Sequence, residues 1–403
     1  MVRFVFHNIF RQITRTFLTL AAIVLGVVSL IIVGGFVADI FVQLQENTIH
    51  SQLGHIQIYK QGYTTFGRKE PYHYVLEQPE AIAKELAGWH EVSEVMMRLN
   101  FTGLANNGRA DFPIFGEGVE PDKEARLGTS LAIHAGRQLT DADGFGILLG
   151  QGVAKALNLN PGDYVTLLAN TPEGALNSIE FQVIGIFQTF SKEYDERAVR
   201  IPLSAAQELM AATAVHSLVI LLSDTADTDS ALHRLGRWLP AETYEIKAWY
   251  ELADFYRKTV DLYERQFGVL KIIILVMVLL SVGNSVNMAI YERTGEFGTL
   301  MALGRRSGDI IKIILLEYAL LGLMGSVLGI IIGVVIAYIA SGVGIPMPPP
   351  PNADMGYTAS VRIVPSVILA AFLVGVLATI MAAVLPSRRA AKLQIVEALR
   401  SNI

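Results

Sequence analysis

Cysteine is missing altogether from the 403 residues, which removes disulfides, thiolate nucleophiles and cysteine-ligated zinc in one step. The compartment stays open, because a cysteine-free domain folds on either side of a membrane. Charge is scarce too. Charged residues make up 17% of the chain against 52% hydrophobic ones, too few for an ordinary soluble protein. The balance, 32 basic against 37 acidic residues for a net charge of −5, gives no overall basic field to attract nucleic acid. No G-x-x-x-x-G-K-[ST] occurs, which excludes a nucleotide site of the P-loop kind, and neither H-E-x-x-H nor G-x-S-x-G is present. The eight histidines are scattered, with His50 and His55 poorly spaced for one metal on one helix, and satisfied surface histidines are expected. Gly150-Gln151-Gly152 follows the apolar run Ile147-Leu148-Leu149, but Lys155 stands where a dinucleotide fingerprint needs a small residue. A tight strand-to-helix turn is the expected reading. No catalytic, cofactor or metal site emerges, so the chain itself is expected not to be an enzyme.

What the chain has is long apolar runs. Four reach the length of about 20 residues needed to cross a bilayer, roughly Phe17–Val37, Val269–Met288, Ile310–Ala340 and Val364–Leu385. They divide the chain into spans at 17–38, 267–289, 310–340 and 364–386, a large region at 39–266, short segments at 290–309 and 341–363, and a tail at 387–403. Residues 1–16, with Val2, Phe6, Ile9 and Ile13 on one helical face, read as an interfacial helix ahead of an uncleaved anchor. Basic residues orient the spans. Arg3, Arg11 and Arg15 precede the first, Arg293, Arg305 and Arg306 lie between the second and third, and Arg388, Arg389, Lys392 and Arg400 follow the fourth, whereas segment 341–363 holds Arg362 alone. The positive-inside rule puts both termini and 290–309 in the cytoplasm and 39–266 outside.

In the large region, 39–52 continues the first span with helical spacing and 249–266 leads into the second, with Trp249, Leu252, Tyr256, Val260 and Tyr263 on one side. A helix of about 40 residues is roughly 60 Å long, twice the hydrocarbon thickness, so part of each should stand clear as a stalk. Between the stalks, His55–Tyr59, Val92–Ala105, Ala110–Val119, Ser217–Leu222 and Thr243–Ile246 read as strands, and Gln78–Trp89 and Thr228–Trp238 as helices. These form a split β-α-β layer, with 120–214 inserted as a more β-rich lobe whose best strands are Tyr164–Leu168, Glu180–Phe187 and Ala198–Ile201. The proline run Pro346–Pro351 reads as a stiff spacer.

The stretch Tyr291–Arg306, Y-E-R-T-G-E-F-G-T-L-M-A-L-G-R-R, reads as a short capped helix. Thr294 is a candidate N-cap, Glu296 suits the positive end of the dipole, and Gly304 with Arg305 and Arg306 suits the other end. Phe297, Leu300 and Met301 share one face, fit either for docking into a soluble partner or for lying on lipid. Gly325, Gly329 and Gly333 recur every four residues in the third span, and Ala371, Gly375 and Thr379 do so in the fourth. Such stripes admit close helix approach, within one subunit or between two. Asn284, Asn287 and Glu317 are costly in lipid and should face protein, water or each other.

Three features together resemble a known family. They are one span, a large outer domain and three further spans; the segments Glu292-Arg293, Gly295-Glu296-Phe297-Gly298 and Leu300-Met301-Ala302-Leu303-Gly304; and the ending Pro386-Ser387-Arg388-Arg389-Ala390-Ala391 with Val396-Glu397-Ala398-Leu399-Arg400. These resemble the permeases of the MacB, LolC/LolE and FtsX group, the type VII ATP-binding cassette transporters, and among them the free-standing LolC/LolE-like branch. Residues 147–163, 181–187 and 199–202 are similar to the MacB-type periplasmic core domain. The resemblance implies an α-helical membrane protein with four transmembrane helices and an α+β extracytoplasmic domain between the first and second. It implies a bacterial inner-membrane permease acting as a dimer with an identical or related copy. It also implies a coupling helix formed by Glu292, Arg293, Glu296, Phe297, Gly298, Leu300, Met301, Leu303 and Gly304 and seated on a separate ATPase that holds ATP and magnesium. Nucleotide-driven strokes would pass through the stalks, by mechanotransmission, to lipoproteins or other lipid-like cargo, with a periplasmic carrier or adaptor as a further partner. The alternative is a non-transporting relay that activates an extracytoplasmic enzyme.

Overall fold

The computed structural model describes residues 13–67, 73–128, 131–189, 191–213, 215–348 and 356–392. The interfacial helix expected over residues 1–16 falls mostly outside these, as does Val396–Arg400. Two compact units result, one of Met1–Val42, Val260–Met347 and Thr358–Ile403, the other of Gln43–Thr259 and Pro348–Tyr357.

Four helices in the described residues are long and apolar enough to cross a membrane: Ile13–Thr48, Asp254–Glu292, Ser307–Val343 and Pro365–Ala390. In the first unit they pack around Ile23, Val27 and Ile31 of the first helix, Val278, Val282 and Val286 of the second, Ile310, Ile314 and Leu321 of the third, and Ala371, Ala378 and Ala383 of the fourth. The glycine stripe explains the closeness. A Cβ added at Gly325 would lie 2.8 Å from Ile23, at Gly329 2.8 Å from Val27, at Gly333 3.1 Å from Ile31 and at Gly375 2.7 Å from Val27. With Ala371 also buried, all five small residues pack against other helices of the same chain. Thr19 and Ser285 share a hydroxyl hydrogen bond between the first two helices. Asp39 accepts from Ser360 N at 2.7 Å, Ser360 Oγ at 2.8 Å and Arg362 Nε at 3.0 Å, fixing the approach to the fourth helix.

The second unit is built on strands β1 (Ile56–Lys60), β2 (Val92–Asn106), β3 (Asp111–Val119), β4 (Ala132–Gly136), β5 (Gly146–Gly150), β6 (Tyr164–Asn170), β7 (Leu176–Gln188), β8 (Ala198–Pro202), β9 (Ser217–Leu222) and β10 (Tyr244–Ala248). They pair in the order β10-β1-β9-β2-β3-β8-β5-β7-β4, with β6 against β2 and β7. The two lobes expected from sequence therefore share one sheet. The 15-residue β2 joins them, its first half pairing with β9 and its second with β3 and β6. Asn107 builds the β2–β3 turn, its side-chain oxygen accepting from the backbone of Arg109 and Ala110 while Gly108 takes φ +84°. Gly150-Gln151-Gly152 is a strand-to-helix turn from β5 into Gln151–Leu157, and added Cβ atoms there would strike the backbone of Asp195 and Glu196.

Helices Pro79–Leu86 and Thr228–Trp238 cover Ile58, Val95, Leu218 and Ile220. A separate core around Leu149, Phe181, Val199 and Leu209 fills the other half. Two histidines contradict the surface reading, because His55 and His216 are both buried. Backbone N–H groups of Leu222 and Asn100 donate to their Nδ1 atoms at 3.1 Å, which is why these rings sit inside.

Candidate functional site: the short helix between the second and third spans

The second long helix ends at Glu292, and the short helix Thr294–Ala302 follows immediately. Thr294 is not its N-cap; Arg293 occupies that position. The Thr294 hydroxyl instead donates back to the carbonyls of Ile290 (3.0 Å) and Tyr291 (2.9 Å), closing the preceding helix. At the other end Gly304, at φ +91°, lets Gly304 N reach Met301 O at 3.0 Å and Arg305 N reach Leu300 O at 3.1 Å. This is a Schellman stop, and it needs the left-handed residue that glycine supplies most easily.

Arg293 ties the segment to the third span. Its Nη1 donates to both oxygens of Glu317, at 3.1 and 2.9 Å, its Nε donates to Glu296 at 3.1 Å, and its guanidinium lies 5.2 Å from the Phe297 ring centroid. Glu317, expected to face protein, thus has a named partner 24 residues upstream. The sequence carried the signal, a lone carboxylate in an apolar run, but not the partner's identity.

The shared face of Phe297, Leu300 and Met301 is turned inward. Phe297 is buried among the spans, and Leu300 and Met301 are half-buried against the same core. That departs from the expected docking face, because the apolar face of so short a helix is consumed by its own membrane helices. What stays outside is different. Tyr291 and Leu303 are 80% and 79% exposed, and Glu292, Thr299, Ala302, Gly304, Arg305 and Arg306 are exposed with them. Of the nine residues predicted for coupling, Glu292, Leu303 and Gly304 lie on this open surface, Arg293 and Glu296 form its ionic hinge, and Phe297, Gly298, Leu300 and Met301 anchor it.

The predicted stalk residues divide likewise. The expected continuous helix 249–266 is broken at Ala253, with Trp249–Leu252 a separate turn and the long helix starting at Asp254. The Trp249 ring meets Tyr256 at 4.7 Å edge-on, and Ala253 and Ile49 complete that cluster. Two residues seven apart on one helix lie about 10 Å apart along the axis, so the break permits the contact. Tyr256, Val260 and Tyr263 are half-buried on one side of the long helix. Asn284 and Asn287 lie exposed on the second span rather than against protein in this chain.

Sequence reasoning missed a buried ionic cluster in the sheet unit. Arg98 donates to both oxygens of Glu124, at 2.5 and 2.9 Å, and Arg200 to Glu117 at 3.1 Å, with Tyr194 donating to Glu117 at 2.6 Å. Burial alone would raise the Glu117 carboxyl, but Arg200 and Arg98 outweigh it and hold it below the ordinary range. The signal was there: Arg98 follows the apolar run Val95-Met96-Met97, Arg200 sits between Val199 and Ile201, and Glu117 and Arg200 pair directly across β3 and β8.

Comparison with known proteins places both halves. Residues 16–237 match the MacB-like periplasmic core domain and residues 268–395 the FtsX-like permease C-terminal domain. An uncharacterized ABC transporter permease of Methanocaldococcus jannaschii is 24% identical over 432 residues, covering 100% of this chain and 98% of the relative. The lipoprotein-releasing system transmembrane protein LolC of Neisseria meningitidis serogroup B is 24% identical over 420 residues, covering 96% of this chain and 94% of that one. A crystal structure of the periplasmic region of MacB from Actinobacillus actinomycetemcomitans, 18% identical, aligns with 52% of this chain and 93% of its own at a TM-score of 0.37. With a matching core domain, a matching permease domain and full-length relatives, the chain belongs to the MacB-like and FtsX-like family of ABC transporter permeases.

Proposed function

We propose that this permease is the membrane subunit of a transporter working by mechanotransmission. A separate ATPase, holding ATP and magnesium, docks on the open surface of Tyr291, Glu292, Ala302 and Leu303. The sheet unit between the first and second spans lies on the periplasmic side of the inner membrane and both termini lie in the cytoplasm, as the distribution of arginines supports. ATP-driven strokes at the short helix travel through the stalks to the sheet unit. They release lipoproteins or other lipid-like cargo from the outer leaflet, for a carrier or adaptor to receive. A second copy or a homologue packs against the second span where Asn284 and Asn287 are exposed, since two amides facing hydrocarbon are costly.

The observation that carries this reading is the likeness to LolC across 96% of the chain. Reconstitution with the cognate ATPase in proteoliposomes tests it. Turnover stimulated by lipoprotein or lipid supports transport. Stimulation by a soluble periplasmic hydrolase alone refutes transport in favour of a signal relay.

A further inference from the structure

The two stalks enter the sheet unit in physically different ways. The helix Ile13–Thr48 runs into a π-helical turn, Ile49–Leu53, that stops at Gly54 with φ +64°. A helix end leaves its last carbonyls without intrahelical donors and carries partial negative charge. Here the sheet supplies the donors. Arg200 Nη2 reaches Ser51 O at 3.2 Å, Arg98 Nη1 reaches Gln52 O at 2.6 Å, and Gln57 Nε2 reaches Leu53 O at 2.7 Å. Both guanidiniums are buried and held from behind by Glu124, Glu117 and Tyr194, so they cannot follow a moving helix without breaking their own ion pairs. One turn earlier, Glu46 accepts from Thr225, whose hydroxyl is hydrogen-bonded to the buried ring of His55. The second stalk is built differently. Its first turn, Trp249–Leu252, is tied to the sheet unit, with Trp249 N donating to His55 O at 2.9 Å and the Tyr250 hydroxyl to Asp229 at 2.9 Å. The long helix starts only after a backbone break at Ala253, where ψ is 68°, and Tyr256 lies edge-on against the Trp249 ring.

We propose that the first stalk is welded to the sheet unit and the second is hinged, with Arg98 and Arg200 as the positioning residues of the weld. A displacement of the first stalk then moves the sheet as a body, and the break at Ala253 absorbs the change in angle. Two rigid attachments would resist rotation; one rigid and one pivoting attachment converts axial movement into tilt. The inference rests on the mechanotransmission reading above.

The absence of cysteine makes the test clean. Cysteines replacing Glu173, in the β6–β7 turn, and Glu264, on the second stalk, carry nitroxides in the full chain. Labelled chain is diluted into unlabelled chain with the ATPase in nanodiscs, and the inter-label distance is compared without nucleotide and with ATP and vanadate. Arg98→Met with Glu124→Leu removes the contact to Gln52 without leaving a buried charge unpaired. It is expected to abolish the nucleotide-driven shift while ATP turnover continues. Arg137→Met with Asp143→Leu, an exposed pair in the same unit, is expected to keep the shift. Two glycines inserted after Thr48 should abolish it, and two inserted after Ala253 should not. These insertions leave the sheet untouched and decide the matter if the substituted protein fails to fold. A shift that survives Arg98→Met with Glu124→Leu, or equal losses from the two insertions, overturns the weld and leaves the stroke intact. No shift in the unmodified protein overturns the stroke itself, and the weld with it.

Discussion

Replacing Arg293 with Met tests how the short helix is held. The change strips Glu317 of two hydrogen bonds, at 2.9 and 3.1 Å, in a pair whose side chains are only 11% and 10% exposed. Removing one partner of such a pair costs about 3–5 kcal/mol because the other charge stays buried and unpaired. The contact of Arg293 with Phe297 adds about 0.5–2 kcal/mol, but it is also lost in Arg293→Met with Glu317→Leu. The difference between the single and double variants therefore isolates the cost of leaving Glu317 buried and unpaired. At 1.4 kcal/mol per factor of ten, opening of the short helix should be favoured on the order of 10²- to 10³-fold in the single variant. The double variant, which leaves no orphaned charge, should recover most of the loss. Amide hydrogen exchange across 294–303 reads this directly, since local opening sets the exchange rate. Equal exchange in the single and double variants, or exchange in the single variant as slow as in the unmodified protein, would refute the argument.

The inward and outward faces of the same helix predict opposite phenotypes. Leu303→Asp should detach the ATPase in co-purification with the membrane fold unchanged, whereas Phe297→Ala, which opens a cavity among the spans, should lower thermal stability by about 3–5 kcal/mol. Gly329→Leu should loosen the third helix from the first, because the site lacks room for one Cβ, and cross-linking of cysteines placed at Val24 and Leu328 should fall. Burial, with the nearby His50, lowers His55 from 6.5 to about 4. The unfolded chain then binds a proton that the folded chain refuses between these values, so stability is complete above about 6.5 and declines as pH falls towards 4. His55→Gln should flatten that dependence in a pH series of exchange at Leu222. Asn284→Leu with Asn287→Leu should weaken self-association in nanodiscs, read by single-molecule subunit counting.

Much of this architecture is legible because the bilayer and the sheet impose simple periods. Runs longer than about 20 apolar residues mark spans, and the strands expected at β6 and β9 lie within two residues of where they are found, whereas β7 begins at Leu176, four residues ahead of the expected Glu180. Two kinds of information were not local. The first is which face of an amphipathic helix is consumed internally. Phe297, Leu300 and Met301 offer the same stripe to a partner protein or to the chain's own spans, and only tertiary packing decides. The second is pairing at long range. Nothing around Glu317 names Arg293, and nothing around Ser51 and Gln52 names Arg98 and Arg200. The break at Ala253 was hidden for a related reason. Alanine favours helix continuation, but Trp249 and Ala253 are buried with Ile49, a partner far upstream in the chain that local propensity does not see.

These non-local pairings share a physical logic. In hydrocarbon, leucine and isoleucine gain little by leaving lipid for protein, so apolar contact alone does not fix the register of one span against another. Glycines set how closely the first and third helices approach, but a smooth glycine groove still permits sliding. A charge in an apolar segment does not, since its cost falls only at the position where its partner sits. Arg293 with Glu317 fixes the short helix against the third span, and Asp39 with Ser360 and Arg362 fixes the first helix against the approach to the fourth. Arg98 and Arg200 do the same for the end of the first stalk. The buried charges are therefore the few places where one element of the chain cannot slip along another.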